Sequence, residues 1–404
     1  MQKILASAAV LSLALTAPAL AAKPPKSLAI HNSAIVLDTH FDTPANVARS
    51  GWDIMARHSY EQDGTQVDYP RMVEGGVDGG FFAIFTGQGE RGLDGNTAAM
   101  IAGLQRGLVI RDMVAKHLDQ FVLVRTEAEA RAVVATGKKF VFISIENSSP
   151  VAVNLAMMQT YKDLGVTMMG PIHFLNNDLG DSSTDPKGPE FHGLSPLGKQ
   201  WVKDANRLGI LIDASHSSDD VFDQILELST APIILSHTGS KAIYNHPRNL
   251  DDSRLKALAA KGGVIQINAF NGYMKDIPKI PEKDAALAEL IKSVGGNPRD
   301  VPADQREAFN AGRKAIEAKW PTPKANLDDL MAHINHVVKL VGIDHVGLSG
   351  DFDGGGGIEG LEDITDYPAL TDRMVKEGYS AQDMAKFWGG NALRVLTAAQ
   401  AAAK

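Results

Sequence analysis

The sequence contains no cysteine among its 404 residues. Disulfide bonds and thiolate nucleophiles are therefore excluded. A chain without disulfides must draw its stability from a large hydrophobic core, which a chain of this length can build. Any metal site must use histidine and carboxylate side chains as its main ligands.

Clusters of basic residues are also lacking. The chain has 40 lysine and arginine residues against 48 aspartate and glutamate residues, which gives a formal net charge of -8 at pH 7. Proteins that bind nucleic acid concentrate positive charge on one face. The composition therefore argues against nucleic acid as a partner.

Long apolar runs are confined to the N-terminus. Residues 1–21, MQKILASAAVLSLALTAPALA, combine the basic Lys3, an apolar stretch and a small-x-small site at Ala19–Ala21, as a secretory signal peptide does. We expect cleavage after Ala21, export to the periplasm or the medium, and no membrane anchor in the mature chain. The alternative, an uncleaved anchor, is less favoured because the apolar part is short and is interrupted by Ser12, Thr16 and Pro18.

Short β-rich apolar segments alternate with amphipathic helical stretches along the rest of the chain. Eight segments are predicted to be strands: AIVLDTH, GGFFAIFTG, KFVFISIEN, GVTMMGPIH, GILIDASH, APIILSHTG, GGVIQINAF and DHVGLSGDFDG. Eight βα units predict a (β/α)8 barrel of the TIM type. We predict a single domain over residues 22–404.

The helices between these strands are predicted at Thr97–Gln120, Thr126–Thr136, Val153–Leu164, Pro196–Leu208, Asp219–Leu228 and Ser253–Ala260. The chain is longer than the roughly 250 residues that a basic barrel needs. Most of the surplus lies in a polar, proline-containing insertion, Asn271–Ala325, between the seventh and eighth strands. We expect this insertion to form a lid or a side wall at the catalytic face.

The first predicted strand ends in an unusual pair. In AIVLDTHFDTP, His40 and Asp42 lie two residues apart, so in an extended strand both side chains project from one face. An imidazole and a carboxylate at one place suit a divalent metal. Taken alone, the pair is weak evidence for a metal, because histidine and aspartate often end a strand without binding one.

Five further strands also end in residues that can bind a metal or move a proton. In a barrel the carboxyl ends of the strands converge on one face, where active sites are built. A capping role could explain any single residue, but six strands with this ending predict a site. The additional residues are Glu146, His173, His216, His237 and Asp351.

These residues include a ligand set for two divalent cations, and zinc matches it best. Glu146, from a central strand, could bridge both ions because a carboxylate has two oxygens. Two metals about 3.5–4 Å apart would hold a hydroxide between them and polarise a carbonyl group.

Six motifs, in this order, resemble the membrane (renal) dipeptidase family of the amidohydrolase superfamily: DTHFD, SIEN, ASHSS, LSHTG, HPRNL and GLSGDFDG. The resemblance extends from about Ala34 to Leu396. It implies hydrolysis of dipeptides with free N- and C-termini by a metal-bridging hydroxide, with a C-terminal D-residue as a further option. It implies two zinc ions per chain.

The resemblance also implies a role for each site residue. His40 and Asp42 would hold one zinc, His216 and His237 would hold the other, and Glu146 would bridge the two. His173 would contact the substrate carbonyl and stabilise the oxyanion. Arg248 would bind the C-terminal carboxylate of the dipeptide, and Asp351 would manage the proton.

Other functions remain open on the sequence. The same site could hydrolyse an N-acyl amino acid, a lactam or a lactone, and a periplasmic binding protein without turnover is a more distant alternative. The disulfides and lipid anchor of animal family members have no counterpart here, so their dimer linkage does not transfer and a homodimer stays open.

Several polar residues have a structural interpretation beside a functional one. Arg248 could be a surface arginine paired with Asp251 or Asp252. Asp353 is predicted to hold the DGGGG turn, which lacks the lysine and hydroxyl residue of a phosphate-binding loop. Five other histidines are predicted to be solvated, to lie behind the site or to serve packing: His192, His246, His333, His336 and His345.

Overall fold

The computed structural model describes residues 25–296, 301–302 and 304–403. The predicted signal peptide, residues 1–21, lies outside the described residues. Within the described part of the chain, no helix has the length and apolar character that crossing a membrane requires.

Ten strands form the sheet structure of the described chain. They are β1 Leu37–Phe41, β2 Gly79–Phe85, β3 Phe121–Leu123, β4 Lys139–Glu146, β5 Val166–Met169, β6 Leu211–Ile212, β7 Ile234–Ser240, β8 Asn249–Leu250, β9 Val264–Asn268 and β10 Val346–Ser349. All paired strands are parallel.

Eight of these strands form a ring. One sheet has the order β1-β2-β4-β5-β6, and the other includes β10-β9-β7. Single parallel bridges join the two sheets, one between Asp213 and Ile234 and one between Phe41 and Phe352. The ring confirms the predicted (β/α)8 barrel, and its eight strands are the eight predicted segments.

The other two strands are short and were not predicted. The strand β3 pairs with the start of β4, from Lys139 to Val141, and β8 pairs with Gly239 and Ser240 at the end of β7. Both extend a barrel strand without entering the ring. Their two or three residues carry too little periodicity to be recognised from the sequence.

Eighteen α-helices accompany the strands in the described chain. They are α1 Lys26–Ser33, α2 Pro44–Val47, α3 Tyr60–Asp63, α4 Tyr69–Glu74, α5 Leu93–Lys116, α6 Glu127–Val134, α7 Ser149–Ala152, α8 Met157–Leu164, α9 Pro196–Leu208, α10 Asp219–Leu228, α11 Asp252–Ala260, α12 Asn271–Met274, α13 Pro281–Ser293, α14 Arg306–Lys319, α15 Leu327–Val341, α16 Tyr367–Lys376, α17 Ala381–Ala385 and α18 Asn391–Ala401.

Helix ends were predicted best where the sequence carries a cap. Helices α9 and α10 have the predicted bounds because Ser195 and Ser218 cap their first turns, accepting hydrogen bonds from the amides of Gly198 and Val221. Gly209, with φ of 66°, ends α9. Helix α5 begins and ends four residues earlier than predicted.

The strands are buried on both faces, as barrel strands are. All eight residues of β4 are buried. Because side chains alternate, Phe142 lies on the same face of β4 as Glu146. The rings of Phe81 and Phe142 stack 4.8 Å apart, and both belong to a buried cluster that includes Leu393 of α18. An apolar layer therefore lies below the polar carboxyl ends of the strands.

The described part of the insertion Asn271–Ala325 is mainly helical. It contains α12, α13 and α14, and α14 contacts the α3 region through two hydrogen bonds: Asn310 Nδ2 donates to the Gln62 carbonyl at 2.9 Å, and Arg313 Nη2 donates to the Tyr60 hydroxyl at 3.0 Å. The insertion is thus fastened to the segment between β1 and β2.

Candidate metal centre and active site

The predicted strand-end residues converge at the carboxyl end of the barrel. His40 lies in β1, Asp42 follows it, Glu146 ends β4, and His237 lies in β7. All of these side chains are buried. Asp42, Glu146 and His237 line a cavity of about 590 Å³ together with His173, His216 and Asp351, whereas His40 is not part of the lining.

Glu146 is the centre of this cluster. Its Oε1 lies 3.1 Å from His216 Nε2 and 3.3 Å from His237 Nε2. Its Oε2 lies 3.5 Å from His40 Nε2, which in turn is 3.6 Å from Asp42 Oδ2. The two carboxylate oxygens thus face different imidazoles, as a carboxylate that bridges two cations must.

The donor atoms fit metal ions better than they fit one another. His216 Nε2 and His237 Nε2 are 2.9 Å apart beside one carboxylate oxygen, and the buried His216 Nδ1 has no hydrogen-bond partner among the described residues. The possible ligand atoms form three groups, and within each group they all lie within 4.8 Å of one another. The groups are His40, Glu146 and His237; Glu146, His173 and His216; and His40, Asp42 and Asp351.

The pKa values of the cluster residues are shifted in different directions. Burial opposes a charged His40, but the carboxylates of Glu146 and Asp42 outweigh it and raise the pKa of His40 well above its usual value. Burial similarly opposes ionisation of Glu146, yet the surrounding histidines hold its pKa well below normal. Burial, with the nearby Arg248 charge, places the pKa of His216 well below normal.

Asp38, which the sequence analysis did not single out, supports the first part of the cluster. Its carboxylate accepts hydrogen bonds from the amides of His40 at 2.9 Å and Gly350 at 2.7 Å, and from Ser349 Oγ at 3.0 Å. The Tyr367 hydroxyl donates to it as well. Asp38 therefore ties the ends of β1 and β10 together beneath the site.

Asp213 plays the corresponding part for His237, and it too was missed. Ser236 Oγ donates to Asp213 Oδ2 at 2.5 Å and lies 2.8 Å from His237 Nδ1. Because the Ser236 hydroxyl uses its only proton in the bond to Asp213, His237 Nδ1 donates to the hydroxyl oxygen. His237 Nε2 then keeps its lone pair for a ligand. Both aspartates lie two or three residues before a site histidine, in LDTH and IDASH, and that spacing was the available signal.

Two site residues leave the extended conformation that the strand interpretation assumed. His216 has φ of 67° and Asp351 has φ of 51°, both in the left-handed region. β6 has only two residues, and His216 follows four residues after its end. A non-glycine residue in this region costs on the order of 1–3 kcal/mol and is found most often at functional sites.

Arg248 is not a surface arginine, so that alternative is wrong. Only 3 % of it is exposed, and its Nη2 donates to the His237 carbonyl at 3.0 Å. Asp251 pairs with Arg254, and the described residues provide no carboxylate partner for Arg248. The guanidinium lies 5.3 Å from the ring of Tyr273, which lines the cavity, whereas Arg248 itself does not line it.

Asp353 has the structural role that was predicted. Its carboxylate accepts hydrogen bonds from Thr43 Oγ1 at 2.6 Å and from the Gln66 amide at 2.8 Å. His333 is a buried packing residue whose Nδ1 accepts from the Ser240 amide, and His336 pairs with an aspartate of α11. These residues lie outside the cavity lining.

Four aromatic side chains line the cavity, and the sequence did not predict them. The apolar lining includes Phe85, Phe174, Leu175, Phe270 and Tyr273. Phe270 directly precedes the insertion and Tyr273 lies in α12 at its start, so the side-wall expectation holds for this end. Helices α13 and α14 contribute no described residue to the lining.

A parallel eight-stranded barrel with buried histidines and carboxylates at its carboxyl ends defines a barrel metallohydrolase. The model of the membrane dipeptidase family, peptidase family M19, matches residues 26–404. The chain belongs to this family, a family of metallopeptidases, and the motif-based resemblance is confirmed.

Individual relatives agree with this assignment. Dipeptidase verJ of Clonostachys rogersoniana is 27% identical over 381 residues, which cover 92% of this chain and 86% of the relative. The crystal structure of the probable dipeptidase PvdM from Pseudomonas aeruginosa is 29% identical with a TM-score of 0.79, covering 93% of this chain and 98% of the other.

A more distant structure shows the same fold. It is a metallopeptidase from Rhodobacter sphaeroides liganded with a phosphinate mimic of the dipeptide L-Ala-D-Ala. It is 24% identical, with a TM-score of 0.72, and the match covers 91% of this chain and 99% of that one. The barrel is therefore shared beyond the range of close sequence similarity.

Proposed function

We propose that the protein is a binuclear zinc dipeptidase that hydrolyses dipeptides with free N- and C-termini. The observation that carries this proposal is the position of Glu146, whose Oε1 faces His216 and His237 while its Oε2 faces His40. A buried carboxylate shared in this way matches the ligand set of two zinc ions.

The chain divides its ligands between two positions. His40 and Asp42 would hold one ion, His216 and His237 would hold the other, and Glu146 would be shared. When bound, the two ions would supply an activated water and polarise the scissile carbonyl. The remaining work falls to side chains of the cavity.

Asp351 is the group suited to carry the proton. It lies within the ligand distance of His40 and Asp42, and its Oδ2 accepts a hydrogen bond from Asn268 Nδ2 at 3.0 Å. Burial raises its pKa, which brings a carboxyl group closer to the range useful for acid–base work at neutral pH. Asp351 takes a proton from the attacking water and delivers it to the leaving amine.

His173 is suited to stabilise the oxyanion. Its Nε2 lies 3.7 Å from Glu146 Oε1, and burial lowers its pKa to about 4. The imidazole is therefore neutral at pH 7 and can donate one N–H bond to the oxygen that develops negative charge.

Arg248 would recognise the C-terminal carboxylate of the substrate. Its Nε is buried without a hydrogen-bond partner among the described residues, and a guanidinium is well matched to a carboxylate. Its position beside Tyr273 and the His237 carbonyl places this charge next to the cavity wall rather than in bulk water.

A substrate panel on the zinc-loaded protein tests the proposal. We expect hydrolysis of Ala-Ala, weak activity on its C-terminal amide, and little activity on N-acetyl-alanine. A preference for the N-acetylated compound, a lactam or a lactone would identify another amidohydrolase reaction instead. Ala-D-Ala in the same panel measures whether a C-terminal D-residue is accepted.

Arg248→Met tests the carboxylate site separately. Loss of a charge-assisted pair should cost about 2–5 kcal/mol in transition-state binding of Ala-Ala. The amide lacks that carboxylate, so its slower hydrolysis should change far less. Equal losses on both compounds would show a structural role for Arg248.

We also propose that the protein is exported, on the basis of the signal-like residues 1–21. Cell fractionation with N-terminal sequencing tests this. The expected product begins at Ala22 outside the cytoplasm, and a cytoplasmic protein that retains residues 1–21 would contradict it.

A further inference from the structure

Two apolar side chains stand at the cavity without a role in the chemistry described so far. Phe174 is 44% exposed and Leu175 is 41% exposed, and both line the cavity together with the more buried Phe85. Exposed apolar area of this kind favours a ligand that covers it and releases the water around it. Both side chains stand at the cavity in which the proposed substrate binds.

The segment that carries these residues is held firmly. Leu175 and Gln88 are joined twice, because the Leu175 amide donates to Gln88 Oε1 and Gln88 Nε2 donates to the Leu175 carbonyl, both at 2.7 Å. The Phe174 carbonyl accepts from Thr184 Oγ1 at 3.0 Å, and the His173 carbonyl accepts from Ser182 Oγ at 2.5 Å. Three successive residues are thus fixed, so the two side chains are presented in place.

The apolar surface of Phe85, Phe174 and Leu175 occupies one side of the barrel, and this position indicates which end of the substrate it contacts. In the ring order β1-β2-β4-β5-β6-β7-β9-β10, β4 lies opposite β9. Phe85 ends β2 and Phe174 follows β5, so they flank β4. Arg248 and Tyr273 follow β7 and β9, on the far side of the ring.

A dipeptide therefore has a defined direction across the cavity, given the carboxylate role of Arg248. With its C-terminal carboxylate on the Arg248 side, its N-terminal residue extends toward β2 and β5. The Phe174 ring centroid is 3.9 Å from that of His173, the group placed at the scissile carbonyl. The apolar surface is thus adjacent to the residue on the N-terminal side of the scissile bond.

We infer that Phe85, Phe174 and Leu175 form the subsite for the N-terminal side chain, and that this enzyme selects dipeptides with an apolar or aromatic N-terminal residue. The inference rests on the proposed dipeptidase function and specifies its substrate class. A cavity of about 590 Å³ is within the usual size range of ligand pockets and accommodates such side chains.

The test compares kcat/KM for Gly-Ala, Leu-Ala, Phe-Ala and the reversed dipeptide Ala-Leu. The parent protein should favour Leu-Ala and Phe-Ala over Gly-Ala by about tenfold or more. Leu175→Ala should lower kcat/KM for these two substrates by about tenfold more than it lowers kcat/KM for Gly-Ala. Phe174→Ala should act in the same direction. Because the Phe174 ring packs against His173, a change in the rate of this variant on Gly-Ala would report a displacement of His173.

Leu118→Ala is the matched control, because Leu118 is 62% exposed and lies away from the cavity. It should change none of the four rates. If Phe174→Ala and Leu175→Ala lower Ala-Leu more than Leu-Ala, the surface serves the C-terminal residue and the inference is wrong. A parent enzyme that cleaves all four dipeptides equally overturns the inference while the dipeptidase function stands. A zinc-loaded parent that cleaves none overturns both.

Discussion

The two halves of the metal centre are built in different ways. In one half, His40 lies in β1, Asp42 directly follows this strand, and the backbone is held because Asp38 accepts from the His40 amide. The His216 and His237 half combines a left-handed residue with a side-chain relay, in which Ser236 links His237 Nδ1 to Asp213.

The difference shows which parts of such a site depend on regular structure. Asp38 also binds Ser349 and Gly350, so it fixes one half of the site and closes the barrel at the same time. The Ser236 relay instead orients an individual ring. Changes in the first half should therefore disturb the fold as well as the metal, whereas changes in the relay should act on the metal alone.

The largest expected effect concerns Asp351, which lies beside the first half and is not a ligand of either ion in the proposed centre. Asp351→Asn keeps the shape of the side chain but cannot take a proton. We expect kcat on Ala-Ala to fall about 10²–10⁴-fold while the protein keeps its zinc and its fold. Steady-state kinetics with metal analysis of the same sample measures both.

Asp353→Asn is the control for that substitution. Asp353 binds Thr43 and Gln66 rather than the cavity, so much of the activity should remain and thermal stability should fall. Normal turnover in Asp351→Asn with loss of activity in Asp353→Asn would show that the aspartates are assigned wrongly.

The next effect separates the two halves directly. Ser236→Ala removes the group that orients His237, and it should weaken zinc binding about 10–100-fold with the barrel intact. The Asp38 carboxylate accepts several buried hydrogen bonds, and in Asp38→Asn one of these donors would face the N–H₂ group of the amide instead of an oxygen. This substitution should therefore lower the melting temperature even when a chelator has removed the metal. Zinc competition assays and melting curves in chelator measure this contrast, and similar profiles for the two variants would refute it.

The smallest effect is in protons released on metal binding. The metal-free His40 carries a proton at neutral pH because nearby carboxylates raise its pKa, whereas His216 is neutral because burial and Arg248 lower its pKa. Zinc must displace the proton of His40, so the apparent affinity for zinc should rise with pH. The rise should end at the pH at which His40 loses its proton in the metal-free protein. Calorimetry in two buffers of different ionisation enthalpy counts the protons. Proton release confined to filling of the His216 position would contradict the described charges.

The sequence was sufficient to predict the barrel and the convergence of the strand-end histidines and carboxylates, for physical reasons. Buried parallel strands read as apolar runs, and the converging ends of barrel strands bring polar endings such as Glu146 and His237 together. What it could not provide was the conformation of His216 and Asp351, because a left-handed residue after a strand has no periodic signal.

The supporting residues were missed for a different reason. Asp38 and Ser236 act through contacts with Gly350 and Asp213, which are distant in sequence, so the spacing in LDTH and IDASH could mark the aspartates but could not show these partners. The helical character of the insertion was missed because its polar, proline-containing composition resembles that of a loop, although α13 begins at a proline, Pro281, as helices often do.

Zinc stoichiometry in the parent protein and in Glu146→Gln tests the central claim most directly. The account predicts close to two zinc ions per chain in the parent and weaker retention in the variant, because an amide bridges two cations poorly. A single zinc ion per chain, retained equally by the Glu146→Gln protein, would contradict the binuclear centre.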